Sequence, residues 1–309
     1  MHEPGHIPGS AHWPATRPGP VVIIGNFDGV HLGHRTLIDK ARQLATDMEC
    51  ATAAYTFDPS PAQVLRPEAQ IDKLQTLEDR VASLLIAGID HVVVEPFNAE
   101  FAAHDAKWFA QEILDNRLNA SAVVVGWDFR FGKRRGGDAE VLDHWLEAPV
   151  HRMKAHAVDG QIVSSTMVRD TIKRGDVITA AQLLGRPHRA RGPVVHGDHR
   201  GRLLGFPTAN ICSQGILLPP AGVYAVHCQF DDGPRHLGVC NLGVRPTFGD
   251  NASQLEVYVM DFGADLYDTS ATVDFVARVR DELRFDGPQA LIEQIGRDVE
   301  SARSLLQTS

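Results

Sequence analysis

The chain has 309 residues, 43% of them hydrophobic and 22% charged, with a formal net charge of -9. That is the balance of a globular protein long enough for two cores, and the excess of acid excludes a general nucleic-acid-binding surface. No apolar run approaches the ~20 residues of a membrane span.

Residues 1–19 are rich in Pro and Gly and lack a signal peptide's apolar core, so they predict a disordered tail on a cytoplasmic protein. Cys50, Cys212, Cys228 and Cys240 form no CxxC pair, which favours buried free thiols in a reducing compartment over zinc or disulfides. From residue 20 to 184, short apolar runs at 21–24, 51–57, 91–94, 121–126 and 150–155 alternate with helical patterns at 34–48, 77–87, 105–116 and 138–146. Strand and helix in alternation predict a doubly wound parallel sheet, with ligands at the carboxyl ends of its strands. A helical patch over 166–174 and 180–184 closes this domain. From residue 185 the texture changes. Tyr224, Val226, Cys228 and Phe230 alternate with more polar neighbours, as do Leu255, Val257 and Val259, and Val273, Phe275, Ala277 and Val279. Such short alternating strands predict a small antiparallel barrel over 185–309, with a helix from Pro288 to about Leu306.

The first domain carries its chemistry in loops that follow strands. Val21 to Ile24 lead into GNFDGVHLGH (25–34), a strand, a glycine-bearing turn and a helix N-terminus, where amides and the helix dipole favour phosphate. His31 and His34, one turn apart, add donors there. They are either two surface histidines or groups that stabilise charge on a nucleotide's α-phosphate and its leaving pyrophosphate. Zinc would need a third ligand, for which Asp28 is available. GWDFRFGKRRGGD (126–138) mixes Trp127, Phe129 and Phe131 with Asp128, Arg130 and Lys133 to Arg135, and reads as a solvated basic loop or as a holder of a flat ring and a phosphate. Ser164, Ser165 and Thr166, with Arg169 behind them, open a helix; one hydroxyl suffices for a cap, and the set suits a triphosphate.

In the second domain, GRPHRARGPVVHGDHRGRLLGFPTANI (185–211) spaces Gly192, Gly197, Gly201 and Gly205 among Arg191, Arg200 and Arg202, a pattern for amide-lined phosphate cradles. Pro207-Thr208-Ala209-Asn210 is either a turn or an extended segment with Thr208 and Asn210 on one side, where their neutral oxygens suit Mg²⁺. Glu256 shares a strand face with Tyr258, opposite Leu255, Val257 and Val259, and is a solvated carboxylate or a base for a hydroxyl nucleophile. Arg245 and Thr247 lie on a turn that could order against a ligand.

These segments carry a resemblance. GNFDGVHLGH, TFDPSP, VGWDFRFGKRRGGD and SSTMVR stand in the order and spacing of the FMN adenylyltransferase module of prokaryotic bifunctional riboflavin kinase/FAD synthetases, an α/β domain of the HxGH nucleotidyltransferase type. The riboflavin kinase module of that family is matched by the stretch 185–210 together with PPAGVYAV, NLGVRPTFG, LEVYVMDFGADLYD and VRDELRFDGPQALIEQIGRDV. The resemblance implies that residues 20–184 adenylylate FMN to FAD and that 185–309 phosphorylate riboflavin to FMN, using ATP and Mg²⁺. It implies nucleotide contacts for His31, His34, Gly25, Asn26, Phe27, Asp28, Ser164, Ser165, Thr166 and Arg169, and FMN contacts for Asp58, Asp128, Phe129, Arg130 and Phe131. For the kinase it implies phosphate contacts for Gly197, Gly201, Arg202, Gly205 and Pro207, flavin contacts for Arg245 and Thr247, and Mg²⁺ on Thr208 and Asn210. Glu256 would activate the ribityl 5'-hydroxyl. The partners implied are small molecules, with neither nucleic acid nor membrane, and with room for a weak homo-oligomer. Ser60, Met167 and His188 depart from the family pattern, which often has His, a basic residue and Tyr there. Two rivals remain: another HxGH nucleotidyltransferase, acting on a pantetheine, nicotinate or choline phosphate, with an unrelated barrel, and a non-enzymatic flavin or nucleotide sensor.

Overall fold

The computed structural model describes residues 5–14, 17–69, 71–197, 201, 204–213, 215–243, 253–263 and 266–307. The chain divides into two compact units, one of residues 1–71 and 76–164, the other of Asp72–Gln75 and Ser165–Ser309.

The first unit is built on a six-stranded parallel sheet. Its strands are β1 (Gly5–Ile7), β2 (Val21–Ile24), β3 (Thr52–Asp58), β4 (His91–Pro96), β5 (Ala122–Val125) and β6 (Val150–Arg152), in the order β1-β4-β3-β2-β5-β6. Its helices are α1 (Leu32–Asp47), α2 (Pro61–Leu65), α3 (Leu77–Ile86), α4 (Ala99–Ala103), α5 (Ala106–Trp108) and α6 (Ala139–Trp145). A small hairpin, β7 (Ala157–Val158) with β8 (Gln161–Ile162), follows. Both faces of the sheet are covered, because neighbouring residues on a strand point opposite ways. Val22, Ile24, Tyr55 and Val93 pack one way with Phe109, Ile113 and Leu114. Val21, Ile23, Val92 and Val94 pack the other way with Ile38, Ala41, Val81 and Leu84.

One expectation fails here, and a second holds with a change of helix type. Residues 5–14 of the expected disordered tail are structured: β1 pairs with the edge of β4, the Ser10 amide donates to Glu95 (2.8 Å), and the Trp13 ring stands edge-on to His91 at 5.4 Å. An edge strand with unpaired backbone groups recruited a partner that composition did not announce. The helix expected over 105–116 begins as α5 and continues as a π-helix over Phe109–Arg117, whose wider turns keep Phe109, Ala110, Ile113 and Leu114 all buried.

The second unit begins at α7 (Ser165–Lys173) and α8 (Val177–Leu184), earlier than the boundary expected at 184, because Val177 packs into the barrel core. Strands β9 (His188–Val195), β10 (Thr208–Ser213), β11 (Gly222–Phe230), β12 (Arg235–Leu242), β13 (Ser253–Val259) and β14 (Ser270–Arg280) close an antiparallel barrel, β10-β13-β12-β11-β14-β9. Closure leaves no sheet edge. Tyr224, Val226, Cys228, Leu255, Val257, Val273 and Phe275 fill its interior. A register shift between Ala225 and Val226 against β14 turns Ala277 and Val279 to the outer face, against the unbroken alternation expected there. With Val223, Ala225 and Val239 they meet Val299, Ala302 and Leu306 of α9 (Pro288–Gln307).

His188 is 1% exposed, and its Nε2 bonds the Leu217 carbonyl at 2.7 Å. Burial pulls its pKa down to about 4, opposed by that hydrogen bond. Below the ordinary value of 6.5 the unfolded chain takes up a proton that the folded one refuses. The stability this group contributes is therefore complete above pH 6.5 and lost as pH falls toward 4, about 3 kcal/mol in all. Urea unfolding across that window should show a smaller loss in His188→Tyr than in the parent.

Candidate functional site

In the first unit the chain leaves β2, beside both β3 and β5, at the point where strand order reverses and a crevice opens beyond the carboxyl ends. The turn over 25–30 is strained: Phe27 and Val30 have φ of 50° and 43°, and Gly29 has 89°. For a β-branched residue such as Val30 that is a true outlier, which persists only where its surroundings over-determine it. His31 is the N-cap of α1. Its Nδ1 accepts the His34 amide at 3.3 Å, which leaves Nε2 to carry the proton of the neutral ring. His34 stacks on it with centroids 3.7 Å apart and meets the Phe27 ring edge-on at 5.1 Å. Burial, then the neighbouring His31, holds the His34 pKa well below the ordinary value, so this imidazole is neutral. A Cβ at Gly33 would lie 3.1 Å from the His31 ring and 3.3 Å from the Val163 carbonyl, so glycine between the histidines keeps the stack closed.

Other expected groups of this unit sort unevenly. Gly25 packs beneath the Phe27 ring, where an added Cβ would sit 3.2 Å away. Phe27 is fully buried, in the core on one face of the sheet. Asn26 is exposed, Asp28 half-buried, and Asp58 ends β3. In the loop after β5, Asp128 is exposed and Phe129 stacks at 5.1 Å on Phe131, which belongs to the core. Arg130 pairs with Asp138, the N-cap of α6, while Lys133, Arg134 and Arg135 are exposed. Phe131 and Arg130 are thus already engaged by their own unit. Ser60 begins α2, its amide and hydroxyl both donating to Gln63 (3.0 Å each), a capping role that needs no histidine. Ser164 closes the first unit. Ser165, Thr166 and Arg169 open α7 in the second, where Arg169 Nε donates to the Asp72 carbonyl at 2.7 Å.

Two features of this unit escaped sequence reasoning. Phe57, Phe97, Phe101 and Trp108 form a run of edge-on ring contacts at 5.4 to 6.1 Å, continuous through Phe109 with Phe131. Arg80 of α3 is 7% exposed and donates to the carbonyls of Asn26 and Phe57 (3.0 Å each), with Asp58 at 3.6 Å. Its signal was a cation inside the apolar stripe Leu77, Val81 and Leu84.

In the second unit a cavity of about 380 Å³ lies between the outer face of the barrel and α9. Its lining joins the polar Thr208, Asn210, Asn241 and Glu256 to the apolar Phe206, Leu283, Phe285, Leu291 and Ile295. The segment 207–210 enters β10 rather than a turn, so Thr208 and Asn210 share a face. Asn210 pairs in register with Glu256, and Glu256 with Asn241, which brings three strands' polar groups together. Leu255 and Val257 point into the barrel, so Glu256 and Tyr258 point to the cavity. Glycines make room: a Cβ on Gly197 would strike the Asn210 amide at 2.1 Å, and one on Gly201 the Phe206 carbonyl at 2.4 Å. Gly205 turns with φ +83°, and Pro207 is exposed. Arg202, Arg245 and Thr247, and with them Arg200, lie outside the described residues.

Among the described residues no three His, Cys, Asp or Glu side chains gather to hold a metal. Two neutral oxygens beside one carboxylate nevertheless fit a hard cation that takes its remaining oxygens from phosphate and water. Asn241 and the buried pair Arg280–Asp298 were not anticipated. Arg280 bonds both Asp298 oxygens, Nε at 2.9 and 3.1 Å and Nη2 at 2.7 Å, and lies 5.9 Å from the Phe285 ring centre.

An α/β nucleotidyltransferase-like unit with an HxGH turn, joined to a closed barrel with a Thr-Asn-Glu pocket, defines a two-domain transferase. Residues 14–167 match the FAD synthetase family and residues 184–306 the riboflavin kinase family. Proteins named bifunctional riboflavin kinase/FMN adenylyltransferase are similar along nearly the whole length. That from Haemophilus influenzae is 35% identical, covering 94% of this chain and 95% of its own. That from Pseudomonas fluorescens is 38% identical, covering 94% of each. That from Escherichia coli K12 is 36% identical, covering 94% and 93%. The chain belongs to this bifunctional riboflavin kinase/FMN adenylyltransferase family. A crystal structure described as a macrolide-efflux protein from Streptococcus pneumoniae is also similar, at 30% identity and a TM-score of 0.88, covering 96% of this chain and 98% of its own. Among the described residues of the present chain, no helix is long and apolar enough to cross a membrane.

The cap role of His31 is separable from any role toward a ligand. His31→Asn should keep the N-cap and unfold near the parent temperature, whereas His31→Ala should lose about 1 kcal/mol in denaturant titrations of the first unit.

Proposed function

We propose that the barrel unit transfers the γ-phosphate of ATP to riboflavin, giving FMN and ADP, and that the α/β unit joins FMN to the AMP moiety of a second ATP, giving FAD and pyrophosphate. The observation that carries this reading is the convergence of Thr208, Asn210 and Glu256 on one cavity from paired strands.

In the kinase step Glu256 accepts the proton of the ribityl 5'-hydroxyl as that oxygen bonds the γ-phosphorus and the bond to the ADP oxygen breaks. Thr208 and Asn210 would hold Mg²⁺, which supplies charge neutralisation between the phosphates. The apolar lining residues Phe285, Leu291 and Ile295 offer the flat ring its burial, while Gly201 and Gly205 let backbone come close to the phosphates. In the adenylyl step an FMN phosphate oxygen bonds the α-phosphorus and pyrophosphate leaves. His31 and His34 serve as donors to that developing charge, a matter of positioning and electrostatics. Gly25 to Asp28 lie by the nucleotide, and Asp58 with Asp128 to Arg130 border the flavin beside the aromatic run. Four free cysteines suit a reducing, cytoplasmic setting.

Separate assays of the two half-reactions test both sites. Glu256→Gln should lower FMN formation from riboflavin by ~10²-fold or more and leave FAD formation from supplied FMN within two-fold. The cap-preserving His31→Asn should do the reverse, losing ~10²-fold in FAD formation alone. Parallel loss of both activities in either variant would contradict two independent sites.

A further inference from the structure

Arg80 stands where a leucine or methionine would continue the apolar stripe of α3. Its neighbours Val81 and Leu84 are buried, and its own side chain is almost as enclosed. Burying a guanidinium is costly, and replacing buried ions by apolar groups of similar volume is often neutral or stabilising. Here the cost is not fully offset, since Nε is buried with no hydrogen-bond partner among the described residues. Stability alone therefore does not account for this side chain. Its contacts do. Nη1 donates to the carbonyl of Asn26, in the strained turn after β2, and Nη2 to the carbonyl of Phe57, one residue before Asp58 at the end of β3. The Asn26 carbonyl also accepts the Thr56 hydroxyl at 3.2 Å, so both loops are tied at one point.

We propose that Arg80 is a positioning residue for adenylyl transfer: one planar guanidinium spans two backbone carbonyls and fixes the loop after β2 against the loop after β3. This rests on the reading of the first unit as an FMN adenylyltransferase, in which those loops receive nucleotide and flavin. Lysine cannot substitute, because a point donor on a flexible stem does not bridge two carbonyls in a fixed fork. A brace that sets two substrates against each other acts on their alignment, and small misplacements are costly in rate. Its loss should appear in kcat more than in KM.

The experiment uses the full chain and both half-reactions. Arg80→Met keeps the stem and removes every donor; Arg80→Lys keeps the charge. Arg80→Met should lower kcat for FAD formation ~10- to 100-fold with KM for ATP and FMN moving less than ~3-fold, while FMN formation by the same preparation stays within two-fold. Arg80→Lys should recover little of it, and guanidinium ion added to Arg80→Ala should recover part. Full activity in Arg80→Met or Arg80→Lys would overturn the proposal, as would equal loss of both reactions or a loss confined to KM. If the parent protein itself makes no FAD, the reading of the unit fails, independently of Arg80.

Discussion

The His34 amide donates to Nδ1 of His31, and that one bond decides which imidazole nitrogen of the cap carries the proton. A helix usually begins on Ser, Thr, Asp or Asn, whose oxygen has no second task. Here the capping atom belongs to a ring whose other nitrogen is a donor, so the start of α1 and the chemistry of the turn are set together. Stacking at 3.7 Å then places the second imidazole where its neighbour and its burial disfavour a positive charge. His34, kept neutral, is thus held against the cap beside a helix N-terminus, a place that favours an anion. Gly33 keeps that stack closed, since a Cβ there would lie 3.1 Å from the His31 ring.

The barrel reaches a comparable result by register instead of capping. A strand can offer a carboxylate to one side only if its neighbours on either side go to the other, and β13 does this with Leu255 and Val257 inward and Glu256 outward. Pairing on both edges then sets Asn210 and Asn241 beside Glu256. The helix α9 has to stand off this face for a cavity to remain, and the Arg280–Asp298 pair fixes how it does so: a bidentate bond tolerates little sliding, unlike Leu291 and Ile295 one or two turns before it.

What the sequence showed and what it hid divide along the range of the interactions involved. The strand before GNFDGVHLGH and the face of Glu256 are local patterns, written in a few consecutive residues, and they appear where periodicity put them. β1 was hidden because its partner is the edge of β4, some eighty residues away, and its own composition resembles a linker. The outward turn of Ala277 and Val279 was hidden because a bulge is a property of a strand pair, not of either strand. Arg80 and Arg280 were hidden for the converse reason: each is an ordinary charged residue until the carbonyls or carboxylate it serves arrive from elsewhere in the chain. Phe27 shows the same limit, since nothing in GNFDG says that its ring turns into the core.

The three departures from the family pattern follow from the same distinction between what a position does locally and what it supplies at a distance. Ser60 starts α2 with a hydroxyl and amide on Gln63, so the helix is set without an imidazole. His188 is a buried neutral ring on Phe275 whose Nε2 reaches the Leu217 carbonyl, a bond that needs only one donor on a flat ring. Met167 is half-buried in α7 and offers its carbonyl to the Thr171 hydroxyl at 2.8 Å, a contact any residue's backbone could make. Ser60 and Met167 are both uncharged, and each makes its hydrogen bonds within its own helix.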